Sequence, residues 1–286
     1  LAKKILVTGA NGQLGMECRE LSKMASDAEF IFVSRAELPI DDPATVSTFF
    51  SNHGIDYCIN CAAYTAVDKA ETEIDQAFSI NADAVAHLAK CCFENNVVFI
   101  HISTDYVFDG KNSKGYIETD TTGPLNVYGK SKLAGEIAAM KANPQSIIIR
   151  TSWVYSSFGN NFVKTMMRLM KERESINVVN DQIGKPTYAA DLAAVVFRIV
   201  FSDSGIAPGI YHFANEGTIS WYEFACEIKR VGGFSCAVHP IPSSAYPVPA
   251  KRPDFSILNT DKITTALSLS IPKWDDSLRQ CMSLLL

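Results

Sequence analysis

Short apolar runs rich in Ile, Val and Phe alternate along the first half of the chain with longer stretches in which apolar residues return every three or four positions. The short runs read as buried strands and the longer ones as helices. Lys4–Thr8 is followed by a helix through Leu21, Phe30–Val33 by Pro43–Asn52, and Asp56–Ala62 by Asp75–Asn95. Val97–Ser103 and Ser146–Thr151 continue the strands, with a helix over Val127–Met140 between them. Repeated strand–helix order predicts an α/β fold whose parallel sheet is covered on both faces.

Beyond Tyr155 the rhythm loosens into a helix near Asn161–Glu172, a strand at Ile176–Val179, a helix at Ala189–Phe201 and a strand at Ile210–Phe213. The proline-rich stretch Ser235–Pro253 reads as an irregular surface loop or lid. The expected division is a nucleotide-binding domain over residues 1–155, completed by about 186–213, and a smaller lobe assembled from 156–185 and 214–286. There is no internal repeat.

Composition narrows the partners. The 286 residues carry 26 Lys+Arg against 31 Asp+Glu, a net charge of −5, with no block of like charge. That disfavours nucleic-acid phosphates and anionic lipid as partners. The longest mostly apolar stretch, Ala189–Phe201, is broken by Asp191 and Arg198, so no membrane span is predicted. The apolar run after Lys3-Lys4 ends at Thr8, Gly9, Asn11 and Gly12, so a cytoplasmic location is expected. The eight cysteines are expected to be reduced thiols. Cys58 and Cys61 form C-x-x-C inside a strand, where residues three apart point to opposite faces, and no metal site is expected there.

Gly9-Ala10-Asn11-Gly12-Gln13-Leu14-Gly15 follows the first strand directly and opens a helix. Glycines let the backbone turn tightly against a pyrophosphate, and the helix N-terminus offers unpaired N–H donors. In that context the sheet is expected to be a doubly wound, Rossmann-type nucleotide binder. At the end of the second strand, where a carboxylate would select NAD, stand Ser34 and Arg35. A hydroxyl and a guanidinium suit a 2′-phosphate, which favours NADPH and leaves NADH as the alternative.

Tyr128 and Lys132 lie four apart on one face of the helix announced by Pro124. A phenol is a poor proton partner at neutral pH unless an adjacent ammonium stabilises the phenolate, which is the role expected of Lys132. Tyr128 could then protonate an alkoxide forming under hydride attack. Ile102-Ser103-Thr104-Asp105 ends a strand where such sheets place their ligands, and Thr104 can donate to the same oxygen.

Together, the glycine turn, Asn60-Cys61-Ala62-Ala63, Ser103-Thr104-Asp105 and the Tyr128/Lys132 pair resemble the extended short-chain dehydrogenase/reductase family. Ala63-Tyr64-Thr65-Ala66-Val67-Asp68-Lys69-Ala70-Glu71, Pro124-Leu125-Asn126-Val127-Tyr128-Gly129 and Arg150-Thr151-Ser152-Trp153-Val154-Tyr155 extend the likeness to its sugar-nucleotide reductases, over essentially the whole chain. The resemblance implies NAD(P)H-dependent reduction of the 4-keto group of dTDP-4-dehydro-β-L-rhamnose to dTDP-L-rhamnose. It implies that Tyr128 is the proton donor, that Lys132 holds the nicotinamide ribose and that Thr104 polarises the carbonyl. It adds Ile40, Ala62, Ala63, Tyr64, Thr65 and Ile102 to the cofactor site, and Asp105, Tyr106, Trp153 and Asn161 to the sugar-nucleotide site. Arg252, in the late proline-rich loop, is the expected clamp for the substrate diphosphate.

Alternatives within and beyond the family stay open. Dehydratases of this kind carry Glu after Thr-Asp; Tyr106 stands there instead, which disfavours dehydration, whereas epimerases are harder to exclude. A divalent cation bridging a homodimer is uncertain, because Pro186-Thr187-Tyr188-Ala189-Ala190 lacks the acidic residue often found there, although Glu17 could supply one ligand. The same fold also serves a non-catalytic protein, the regulatory subunit of methionine adenosyltransferase.

Overall fold

The structure, a computed structural model, describes residues 2–202 and 205–286. Five strands come from the first half: β1 (Lys3–Thr8), β2 (Ala28–Val33), β3 (Tyr57–Asn60), β4 (Val98–Thr104) and β5 (Ile147–Thr151). The strand Gly209–His212 joins them from later in the chain, and the six run parallel in the order Gly209–His212, β5, β4, β3, β1, β2. Alternation along each strand feeds two cores. Ile5, Val7, Ile59, Ile100 and Ile149 face the helix Ala189–Phe201, while Leu6, Cys58, Phe99 and Ile148 face the helix Ala84–Glu94. Strand order reverses between β1 and β3, so the crevice expected of such sheets opens beyond Thr8 and Asn60.

Two expectations need correction. The single helix read over Asp75–Asn95 is three pieces: Ile74–Phe78, a π-helical turn over Ser79–Asp83, and Ala84–Glu94. The wide turn sits where the backbone meets the helix Val127–Ala142 at Gly135; a Cβ on Gly135 would lie 1.9 Å from Asn81 O. It also turns the Asn81 side chain inward, where Nδ2 donates to Tyr64 O and Ser131 Oγ, both at 3.0 Å. Apolar periodicity alone does not register one added residue per turn.

The second correction concerns Ser235–Pro253. Ala237–Ile241 is a strand, paired in parallel with Ser175–Val179. Pro240 is tolerated because this is a two-stranded ladder with an open edge, where its missing N–H leaves no neighbour unpaired.

A third core lies away from the large sheet and gathers Tyr155, Val163, Met166, Met170, Ile176, Tyr188, Phe224, Ile228, Leu278 and Cys281. Ile263 and Leu267, from the short helix Asp261–Leu267, pack instead into the sheet's own core. Among the described residues, no helix is long and apolar enough to cross a membrane.

Candidate active site

A cleft of ≈ 840 Å³ opens at the C-terminal ends of β1, β3 and β4. Its floor is the glycine turn. Gly9 has φ +64°, and a Cβ there would come within 2.6 Å of Ala62 N, so both conformation and space require glycine. The helix α1 (Gln13–Ser22) follows with Gly12 as its cap and no side chain accepting from its first turn. Those N–H groups, with the positive end of the helix, suit a pyrophosphate. Gly12, Gln13 and Leu14 line the cleft with Ile40, Ala62, Ala63, Tyr64, Thr65 and Ile102. Asn11 is exposed at the tip of the turn, and Gly15 packs α1 onto it, a Cβ there falling 2.4 Å from Gly9 O. A turn that only glycine can make, an uncapped helix end and an apolar flank fit a dinucleotide.

At the rim, sequence reasoning captured only half of the arrangement. Arg35 lines the cleft, but its guanidinium donates to Asp41 at 2.8 Å, and Asp41 lines the cleft as well. Ser34 does not line it; its backbone N–H donates to Glu37 Oε2 at 2.7 Å. Carboxylates therefore share the corner assigned to a 2′-phosphate. Asp41 and Glu37 were missed because one residue was sought at the end of the second strand rather than in the turn after it.

The inner end of the cleft holds the ionisable groups. Asn126 caps the helix Val127–Ala142 by accepting from Gly129 N at 2.8 Å, which fixes Tyr128 in the first turn and Lys132 one turn on. Burial pushes the Tyr128 phenol up to about 12; the Thr104 hydroxyl beside it pulls the other way, and Asp105 pushes further up. The ammonium effect expected of Lys132 is not what governs this phenol. Lys132 Nζ donates to Ile102 O at 2.7 Å and lies 3.2 Å from His101 Nε2, and its own burial pushes it down to about 8.

Thr104 both shapes a turn and faces the cleft. Its Oγ1 accepts from Tyr106 N at 3.2 Å and donates to Asp105 Oδ1 at 3.0 Å. Burial pushes the Asp105 carboxyl up to about 7, and Asp105 Oδ2 is a buried atom with no hydrogen-bond partner, the one such side-chain atom among the described residues. Tyr106 stands edge-on to Tyr128, ring centres 5.6 Å apart.

On the far side of the cleft Trp153 adopts φ +48° and stacks on Trp221, ring centres 3.6 Å apart, and both line the cavity. Trp221 was missed; its signal was a tryptophan directly after the helix-capping Ser220. Asn161 does not line the cleft. It caps the helix Phe162–Glu172 and donates to Gln13 Oε1 at 2.9 Å, so it positions a residue that does. Arg252 is also outside the lining: its fork is bidentate to Asp68, and its Nη1 donates to Ala250 O at 2.6 Å. Glu17 accepts from Ser156 Oγ, and among the described residues no group of three or more His, Cys, Asp or Glu is placed to hold a metal ion.

Residues 3–286 match the family described as the RmlD substrate binding domain. This chain belongs to that family. It is 40% identical over 291 residues to the dTDP-4-dehydrorhamnose reductase of Sinorhizobium fredii, covering 99% of this chain and 98% of that protein. With the dTDP-4-dehydrorhamnose reductase of Aggregatibacter actinomycetemcomitans it shares 42% identity over 288 residues, 96% of this chain and 97% of the other. The crystal structure of the Bacillus anthracis dTDP-4-dehydrorhamnose reductase in complex with NADP has a TM-score of 0.95 to this chain at 37% identity, over 99% of each. The resemblance to extended short-chain reductases and the doubly wound α/β fold are thereby borne out.

Proposed function

We propose that this chain reduces the 4-keto group of dTDP-4-dehydro-β-L-rhamnose to dTDP-L-rhamnose, with NADPH or NADH as reductant. The observation that carries the reading is the placing of Tyr128, Thr104 and Lys132 together at the inner end of a glycine-turn cleft, in a chain of the RmlD family. The α1 N-terminus and the glycine turn would hold the pyrophosphate, and Ile40 and Ala62–Thr65 the remaining length of the dinucleotide. When bound, the nicotinamide supplies the hydride.

The chain's own residues handle the proton. A phenol held up at about 12 stays protonated at neutral pH, yet it is still a stronger acid than the alcohol being formed, so Tyr128 gives its proton to the carbonyl oxygen as charge builds there. To donate to the same oxygen, the Thr104 hydroxyl turns its one hydrogen away from Asp105 Oδ1. Trp153 and Trp221 offer an aromatic wall for the apolar face of a sugar or base. Arg252 reaches a substrate diphosphate only by exchanging part of its pairing with Asp68. The lobe built on the third core is the part that takes the sugar nucleotide. The proposal places the reaction in the cytoplasm, in keeping with eight unbridged cysteines, and leaves a homodimer to be measured by sedimentation.

The test supplies the 4-keto sugar nucleotide with NADPH or NADH and follows loss of reduced-cofactor absorbance. Tyr128→Phe should lower turnover by about 10²- to 10⁴-fold, the contribution of a positioned proton donor, with cofactor binding retained. Equal consumption by both proteins would remove Tyr128 from the reaction. No consumption by the wild type, with tight binding to another enzyme, would favour a regulatory subunit.

A further inference from the structure

On the far side of the cleft a bulky residue holds a backbone conformation that glycine alone adopts readily. Trp153 has φ +48°, two residues beyond Thr151, which ends β5 and pairs with Thr104. Neighbouring segments fix that backbone. The Ser152 hydroxyl donates to Lys185 O at 2.7 Å, the Thr151 hydroxyl donates to Thr187 Oγ1 at 3.1 Å, and Trp153 O accepts from Thr187 N at 3.2 Å. Strain of this kind persists only where the surrounding structure over-determines it, and it gathers at ligand sites.

The Trp153 side chain is fixed by other elements. The strands Ile183–Gly184 and Ile219–Ser220 pair antiparallel with Ile219 opposite Gly184, which sets Gly184 and Trp221 against the same indole. Gly184 supplies room: a Cβ there would lie 2.6 Å from Trp153 Cε2 and 2.6 Å from Ser256 Oγ. Trp221 supplies a face: ring centres 3.6 Å apart and planes at 11° put the two indoles flat against each other. That is closer to a direct sandwich than the offset or edge-on arrangements aromatic pairs prefer, so the surroundings hold it rather than the rings' own quadrupoles. Trp221 is anchored accordingly. It opens the helix Trp221–Gly232, whose cap Ser220 accepts from Glu223 N at 3.1 Å while Glu223 Oε2 accepts from Ser220 N at 2.7 Å, and Phe162 packs on its ring with centres 4.6 Å apart. Flat stacking covers one face of each indole, so a ligand can meet each ring on one face at most.

We propose that Trp221 is a positioning residue for the sugar nucleotide: with Gly184 it holds the Trp153 indole in one orientation, and it acts on the substrate through Trp153. A wall held in place before the ligand arrives lowers the cost of ordering it on binding. The dinucleotide is held from the glycine turn and α1, so the effect falls on the sugar nucleotide and not on the cofactor. The inference rests on the reading of Trp153 as part of the sugar-nucleotide site, and the test separates the two.

Trp221→Leu keeps an apolar side chain and removes the stacking face. The KM for the sugar nucleotide should rise about 2- to 10-fold, the scale of one aromatic pair, with kcat and the KM for NADPH little changed. Trp221→Phe, which keeps a flat ring, should recover most of the loss, and in a Trp153→Leu background Trp221→Leu should add little further. Gly184→Ala, which intrudes on Trp153 from its other contact, should raise the same KM. Independently of turnover, NMR of the tryptophan-labelled wild-type chain should show the Trp153 ring protons shifted upfield by the facing indole, and the shift should survive saturation with dTDP-L-rhamnose. A wild-type KM in folded Trp221→Leu, or full additivity with Trp153→Leu, overturns this inference alone; a folded Trp153→Leu with wild-type KM overturns the reading of Trp153 as well. If Trp221→Leu does not fold, an upfield shift that vanishes in the complex still overturns the inference, because the ligand has then parted the rings.

Discussion

Asp105 shows how far burial alone can move a side chain's chemistry. Its carboxyl, 3% exposed with one oxygen unpaired, is pushed up to about 7 from the ordinary 3.8. Between those values the folded chain keeps a proton that the unfolded chain releases. The stabilisation linked to this proton is therefore full below about pH 4 and is lost as the pH rises through about 7. Denaturant titrations across that window should show the wild type losing a few kcal/mol relative to Asp105→Asn, which has no such proton to lose. A flat difference between the two would place Asp105 among ordinary ionised carboxylates. At the cleft rim, Asp41 competes for Arg35 at 2.8 Å. Asp41→Asn should free the guanidinium and raise the preference for NADPH over NADH in kcat/KM by roughly two- to fivefold, the scale of an exposed ion pair; an unchanged ratio would show that Arg35 does not read the 2′ position.

Elements carry these residues into register, and the closest contact is between two helical segments. Because a Cβ on Gly135 would sit 1.9 Å from Asn81 O, Gly135→Ala must push the Tyr128 helix off the π-helical turn. Overpacking of this kind costs about 1 to 3 kcal/mol, and kcat should fall with it because Tyr128 and Lys132 ride on the displaced helix. Unchanged melting and turnover would mean that the turn yields instead. The five strands of the first half and their helices were legible from apolar periodicity, as were the glycine turn and the Tyr128/Lys132 spacing, because these features repeat locally or sit next to one another in the chain. The π-helical turn was not legible, since the helix it packs against meets it at Gly135, some fifty residues away. The strand Ala237–Ile241 was hidden by prolines whose cost depends on lying at an edge. Lys132 shares a face with Tyr128 as its spacing required, but the partner that engages it, His101, sits in an apolar strand that reads as core.

At the scale of the whole molecule, Asp68 and Arg252 pair across 184 positions of sequence and pin the late loop to the short helix Val67–Ala70. The Asp68 carboxylate is about two-fifths exposed, so the pair contributes no more than about 1 kcal/mol to stability. Its larger effect should be on the loop: Asp68→Ala is expected to raise the KM for the sugar nucleotide with kcat nearly held, and to speed proteolysis between residues 242 and 253. A variant with wild-type KM and wild-type nicking would show that the loop holds its place without the pair. The third core draws on three stretches of chain, around 155–188, 219–238 and 274–285, while the large sheet takes its edge strand from Gly209–His212, between two of them. Neither half can consequently be cut out as one continuous fragment. A ribosome must finish nearly the entire polypeptide before either half has all its parts, and shuffling halves between relatives would require several simultaneous junctions rather than one.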